Sequence, residues 1–268
     1  MARGSSRFWL WTAPLLVGTC AALALASGFV LALRGSLGEP LGDPAPPPQQ
    51  ERPVAPRTGA YRILVVGDSL AKGTGDESGK GFAVDVLDAM KRRGAAELTN
   101  LGVNGLESPE VRALIETGNV RALAAGADLI LVSAGGNDLS HGATRGSGSP
   151  SDVAGAVADA RGRYLENLRV ILEKLRAANP KAPILVLGLY DPFGGAPGGP
   201  GRLGSSVILQ WNTLLSETAL AYPNVFVVPT FDLFQGRPDR LAADRFHPNR
   251  AGYAEIARRI LQVAPGRG

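Results

Sequence analysis

The chain contains only two histidines, His141 and His247. His247 lies in Asp244-Arg245-Phe246-His247-Pro248, with a carboxylate three positions ahead of the imidazole. One turn of backbone lets both side chains face one cleft, and Pro248 disfavours helical geometry at His247, so the pair belongs to a loop. A carboxylate that orients an imidazole makes a general base, and a general base needs a hydroxyl or thiol to activate. Ser69 is the candidate hydroxyl, at the end of Ile63-Leu64-Val65-Val66-Gly67-Asp68-Ser69. Attack on a carbonyl also requires fixed donors for the charge that develops on its oxygen. Gly105 offers a backbone N–H with no side chain in the way, and Asn137 offers a side-chain amide. Each of these residues has an ordinary structural use too. Serine caps helices, glycine makes turns and asparagine closes them.

These groups can meet only if the elements before them deliver them to one rim. Residues 63–66 form a short apolar run that stops at Gly-Asp-Ser, as a buried parallel strand does. Strands are expected at Glu97–Leu101, Ala127–Ser133, Ile184–Leu189 and Val225–Val228. Helical periodicity is expected through Phe82–Arg93, in two short stretches over 110–116 and 120–125, and through Asp152–Ala178, Ser205–Ala221 and the last segment after Pro248-Asn249. Strand and helix alternate, which predicts a three-layer α/β/α sandwich with a five-stranded parallel sheet, flavodoxin-like in layout. Sites in such sheets gather beyond the carboxyl ends of the strands, where Ser69, Gly105 and Asn137 fall. Two Gly-rich stretches, Ser140–Pro150 and Asp191–Gly204, are expected as loops on that rim. With Phe193 and Leu203 as their only large apolar residues, they predict a shallow site for short acyl groups.

Taken in order, Gly67-Asp68-Ser69-Leu70, the turn from Asn100 to Gly105, Gly135-Gly136-Asn137-Asp138 and Asp244-Arg245-Phe246-His247 resemble the signature blocks of the GDSL/SGNH hydrolases. The resemblance covers residues 60–262. Gly73-Thr74-Gly75-Asp76-Glu77 and Phe231-Asp232-Leu233-Phe234 look like the YpmR-like bacterial branch of that superfamily. The resemblance implies a serine esterase acting on carboxylic esters. Ser69 would be the nucleophile, His247 the general base and Asp244 the residue that orients it. Ser69 N–H, Gly105 N–H and the Asn137 amide would form the oxyanion hole. Gly102 competes with Gly105 in the second block, and Gly105 is preferred because the family spacing places the glycine five after the asparagine. Ser69 does not sit in a Gly-x-Ser-x-Gly elbow, so the α/β-hydrolase arrangement does not apply. The narrower readings that stay open are a cell-wall carbohydrate O-acetylesterase, a lysophospholipase or lipase, a thioester hydrolase and a non-catalytic cell-wall binding module.

The rest of the chain sets the context. Of 268 residues, the first 34 read as an N-terminal transmembrane helix or signal anchor. Phe8–Leu33 carries no charge and would span roughly 39 Å as a helix, against about 30 Å of hydrocarbon. Arg3 and Arg7 precede it, which predicts an extracytoplasmic remainder held at the cell membrane. Cleavage after Ala24-Leu25-Ala26, giving a secreted protein, is the alternative. Residues 35–58, with Pro40, Pro44, Pro46, Pro47, Pro48, Pro53 and Pro56, read as an extended linker, and 59–264 as the catalytic domain. The single cysteine, Cys20, lies in the anchor, so no disulfide is expected in the domain. A net charge of +4 without a basic run predicts no nucleic-acid partner. No metal-ligand spacing or phosphate loop is present, so no cofactor and no metal are expected. The expected partner is a small-molecule, lipid or cell-wall ester, met by a monomeric domain.

Overall fold

The computed structural model describes residues 59–265, apart from 147–148 and 194–198. The expected membrane helix and Pro-rich linker lie outside the described residues. Among the described residues, no helix is long and apolar enough to cross a membrane. The compact unit that contains the site runs from Thr58 to Gly268.

Five strands form one sheet in the order β2-β1-β3-β4-β5: β1 Tyr61–Gly67, β2 Ala96–Gly102, β3 Leu129–Ser133, β4 Ile184–Leu187 and β5 Val225–Val228. Every pairing is parallel. The apolar runs of β1 and β3 follow from burial on both faces. Leu64, Val66, Ile130, Val132, Ile184 and Val186 enter one core, and Ile63, Val65, Leu129, Leu131, Leu185 and Leu187 enter the other.

The first core is covered by α3 (Ser108–Glu116), α4 (Gly118–Gly126), α6 (Pro150–Ala178) and α7 (Gly199–Leu220). The long α6 is launched by a capping box between Ser149 and Asp152 with Pro150 at its first position, and it lays Tyr164, Leu168, Ile171, Leu172 and Leu175 on the sheet. The second core is covered by α1 (Ser69–Lys72), α2 (Gly81–Lys91), α8 (Phe231–Phe234) and α9 (Arg250–Val263), which contribute Phe82, Val86, Phe234, Tyr253, Ile256 and Ile260. The three-layer α/β/α sandwich with its five-stranded parallel sheet is therefore present.

Register decides where the chemistry can sit. Gly67, the last residue of β1, is level with Gly102 of β2 and with Ser133 of β3. A Cβ at Gly67 would lie 2.1 Å from the Ser133 carbonyl oxygen, so only glycine lets β1 and β3 close at this point. The chain runs from β1 to β2 on one side and returns to β3 on the other. The turns after these strands thus open around the point where strand order reverses.

Both stretches expected as Gly-rich loops are partly helical. The first part of the expected loop Ser140–Pro150 is helical, because α5 spans Gly136–Arg145. A Cβ on Gly142 would meet the Ala160 Cβ at 2.7 Å, and one on Gly146 would meet the Val153 Cα at 2.5 Å. These glycines let α5 lie against α6, so their small size serves helix packing and not loop freedom. Gly199–Gly204, expected as loop, likewise begins α7.

Candidate active site

Asp68 ends the β1 turn and caps α1. Its Oδ1 accepts hydrogen bonds from Leu70 N (3.0 Å) and from the Ser133 hydroxyl (2.6 Å). This ties the turn to the end of β3 and places Ser69 at the first position of α1. Burial, the largest influence, pushes the Asp68 carboxyl above the usual aspartate value against the pull of those hydrogen bonds. The Ser69 hydroxyl lies 3.0 Å from His247 Nε2, and His247 Nδ1 lies 2.6 Å from Asp244 Oδ2. Residues at opposite ends of the domain are thereby joined in one chain of hydrogen bonds.

The loop that brings His247 in is closed by Ala242 N donating to His247 O (2.8 Å) and by an isolated bridge between Leu241 and Pro248. Inside it, Asp244 Oδ1 accepts from the Phe246 and His247 backbone N–H groups, each at 2.9 Å. Partial burial acts most strongly on Asp244, raising its pKa. The His247 imidazole and the two N–H donors together outweigh it and hold the carboxyl below its ordinary value. An ionised Asp244 can accept from Nδ1, and the neutral imidazole tautomer that donates there turns an unprotonated Nε2 toward Ser69. The Phe246 ring stands edge-on to the imidazole, with centroids 5.1 Å apart. The Tyr190 hydroxyl, donating to Phe246 O at 2.7 Å, anchors the loop from the β4 side.

Asn137 sits in the first turn of α5, and its Nδ2 donates to Leu106 O at 2.8 Å. An amide nitrogen carries two protons, so one donor remains. The neighbouring Asp138 is buried, and its two oxygens accept from Ser108 N (2.9 Å) and Ser108 Oγ (2.5 Å), which locks α5 to the start of α3. Desolvation raises the Asp138 carboxyl above its normal value despite those bonds.

The two glycines of the second block have different environments. Gly102 N donates to Asn100 Oδ1 at 2.9 Å, and a Cβ on Gly102 would lie 2.3 Å from Lys72 N. Its N–H is taken, and its small size lets β2 approach α1. Gly105 has φ +81, is exposed, and would have nothing within 4 Å of an added Cβ. Among the described residues its N–H has no partner, and the same is true of Ser69 N–H.

Three supporting residues were not singled out by type or spacing. Gly75, at φ +94, lets the turn after Ser69 pass against the His247 loop, since a Cβ there would sit 2.6 Å from Pro248 O. Ser133 and Ser108 hold the two buried carboxylates. The signal available for Gly75 is its place in the block Gly73-Thr74-Gly75-Asp76-Glu77. For Ser133 and Ser108 the sequence carries none, because each pairs with a residue far away in the chain. His141, the other histidine, stands apart from Ser69, with its Nδ1 2.7 Å from Glu107 Oε1.

Comparison with known proteins places the chain in a family. Residues 65–255 match the GDSL-like lipase/acylhydrolase family. The chain belongs to that family. It is 28% identical over 212 residues to the uncharacterized protein YpmR of Bacillus subtilis, covering 77% of this chain and 82% of that one. It is 25% identical over 217 residues to the spore germination lipase LipC of Bacillus licheniformis, covering 77% and 97%. Among solved structures, the lipase Lip_vut3 from a goat rumen metagenome superposes with a TM-score of 0.69 at 25% identity, covering 78% of this chain and 99% of that one. As a GDSL-like lipase/acylhydrolase, the protein is an ester-hydrolysing enzyme.

Proposed function

We propose that the protein is a serine esterase in which Ser69 forms the acyl-enzyme, His247 moves the proton and Asp244 orients the imidazole. The observation that carries this reading is the continuous link from Asp244 through His247 to the Ser69 hydroxyl, at 2.6 Å and 3.0 Å. Ser69 Oγ attacks the ester carbonyl while Nε2 takes its proton. The oxyanion is met by Ser69 N–H, Gly105 N–H and the free Asn137 proton. Gly105 is preferred to Gly102 because the Gly102 N–H already serves Asn100. Collapse of the tetrahedral intermediate breaks the ester C–O bond, and the imidazolium returns its proton to the leaving alcohol. Water, deprotonated by His247, then attacks the acyl carbon, and the acid departs as Ser69 recovers its proton.

The shallow-rim reading for short acyl groups stands as part of this proposal, with apolar side chains added beside the His247 loop. Pro192, Phe234, Leu241 and Ala242 line an open depression of about 710 Å³ beside the His247 loop. The uncharged run Phe8–Leu33 behind Arg3 and Arg7 supports an extracytoplasmic domain held at the membrane. The deciding experiment is exposure of purified protein to p-nitrophenyl butyrate with mass spectrometry of the quenched enzyme. A butanoyl adduct on the peptide containing Ser69, absent in Ser69→Ala together with turnover, is expected. Full turnover in Ser69→Ala would overturn the assignment.

A further inference from the structure

Arg245, at the tip of the loop that carries Asp244 and His247, has φ +54. That left-handed region suits glycine, and a long side chain there is held at a conformational cost. The other described non-glycine residue with positive φ is Asn224, a type that tolerates it. Strain beside a reacting centre calls for a reason in the side chain. Arg245 is exposed and lines the cavity whose remaining walls are Pro192, Phe234, Pro238, Leu241, Ala242 and Ala243. It is the cavity's one charged group.

Its guanidinium is also unspent, whereas the nearby arginines of the same face are paired. Arg237 pairs with Asp239, Arg240 with Glu255, Arg250 with Asp76 and Asp85, and Arg259 with Asp232. Among the described residues, Arg245 has no such partner. The carboxylates closest in sequence do not neutralise it, since Asp239 is held by Arg237 and Asp244 by His247 and two backbone N–H groups. A fork of donors at the edge of an apolar cavity matches a planar or tetrahedral anion on an apolar arm.

We propose that Arg245 is a specificity-determining residue that binds a carboxylate or phosphate of the substrate, so that the preferred substrates are amphiphilic anionic esters. The inference rests on the Ser69 and His247 assignments above, because the anion is read relative to that reacting centre.

The test uses the full-length protein and two matched substrate pairs. p-Nitrophenyl butyrate against mono-p-nitrophenyl glutarate places the anion on the acyl side. 1-Butanoylglycerol against 1-butanoylglycerol 3-phosphate places it on the alcohol side. In at least one pair the wild type is expected to favour the anionic member in kcat/KM. Arg245→Gly, which suits the backbone and should not lower Tm, is expected to cut that preference about tenfold, and Arg245→Lys to restore part of it. The preference should also weaken with added salt. An anionic-to-neutral ratio equal in wild type and Arg245→Gly for both pairs would overturn the proposal. Equal loss on all four substrates would overturn it too, assigning Arg245 to loop geometry. Ser69→Ala is run on the same substrates, and activity surviving in it would count against the nucleophile and not against the ratio.

Discussion

An added Cβ on Gly75 would lie 2.7 Å from the Cβ of His247. The turn that follows Ser69 and the loop that carries His247 are thus in backbone contact, and the position of the imidazole depends on a missing side chain. Gly75→Ala is expected to displace His247 by a fraction of an ångström to an ångström and to lower kcat/KM by about a hundredfold. The φ of +94 adds strain to any side chain. Turnover of p-nitrophenyl acetate alongside thermal melting checks this. A loss of Tm with proportionate loss of active enzyme, and no change per folded molecule, would refute it.

Asn137→Ala should lower kcat by roughly 10²–10³, the usual consequence of losing one oxyanion donor. It also frees Leu106 O from its 2.8 Å bond, so the Gly105 turn should loosen. A change confined to KM, measured on one short ester, would make Asn137 a residue that shapes the pocket only.

Gly102→Ala and Gly105→Ala should fail in different ways. At Gly102 the new methyl collides with backbone of α1, 2.3 Å from Lys72 N, so stability should fall by about 1–3 kcal/mol, the usual cost of overpacking. At Gly105 no atom is met, and the cost is the left-handed backbone alone, about 1–2 kcal/mol. Denaturant melts of both variants, with turnover of the folded fraction, separate packing from chemistry.

Stability should pass through a maximum on mild acidification. Asp68 and Asp138 have raised carboxyl pKa values through burial, so the folded protein binds their protons more readily than the unfolded chain. Their contribution rises as pH falls through the folded values toward about 4. Asp76 behaves in the opposite way. Burial acts most strongly and raises it, but Ser78, Gly81 N and Arg250 together hold it below its ordinary value. Its stabilisation is full above about pH 4 and is lost as pH falls through the lower folded value. Tm measured from pH 8 to pH 3 should rise or hold and then drop. In Asp76→Asn the deficit relative to wild type should shrink below about pH 4. A deficit that persists at pH 3 would show that packing, not charge, is what Asp76 supplies.

Much of this protein is determined by the sequence alone. The short apolar runs at 63–66 and 129–132, bounded by turn residues, read as strands buried on both faces, and helical periodicity between strands points to a parallel sheet, because a helical crossover carries the chain back to the end where the previous strand began. Parallel strands then require the turns at Ser69, Gly105 and Asn137 to share one rim. Asp244 and His247, three residues apart, carry their pairing locally. The tertiary structure decided what depends on distant surfaces meeting. Gly142 and Gly146 read as loop residues until α6 is seen packed against them, since glycine serves flexibility and close approach equally well and only the neighbour distinguishes the two. Gly102 and Gly105 differ by the proximity of Lys72, which folding alone supplies. The buried Asp68–Ser133 and Asp138–Ser108 pairs, the apolar wall at Phe234 and Leu241, and the free Arg245 are likewise products of contact. A side chain's partner is set by three-dimensional distance, and sequence periodicity records only which face it leaves on.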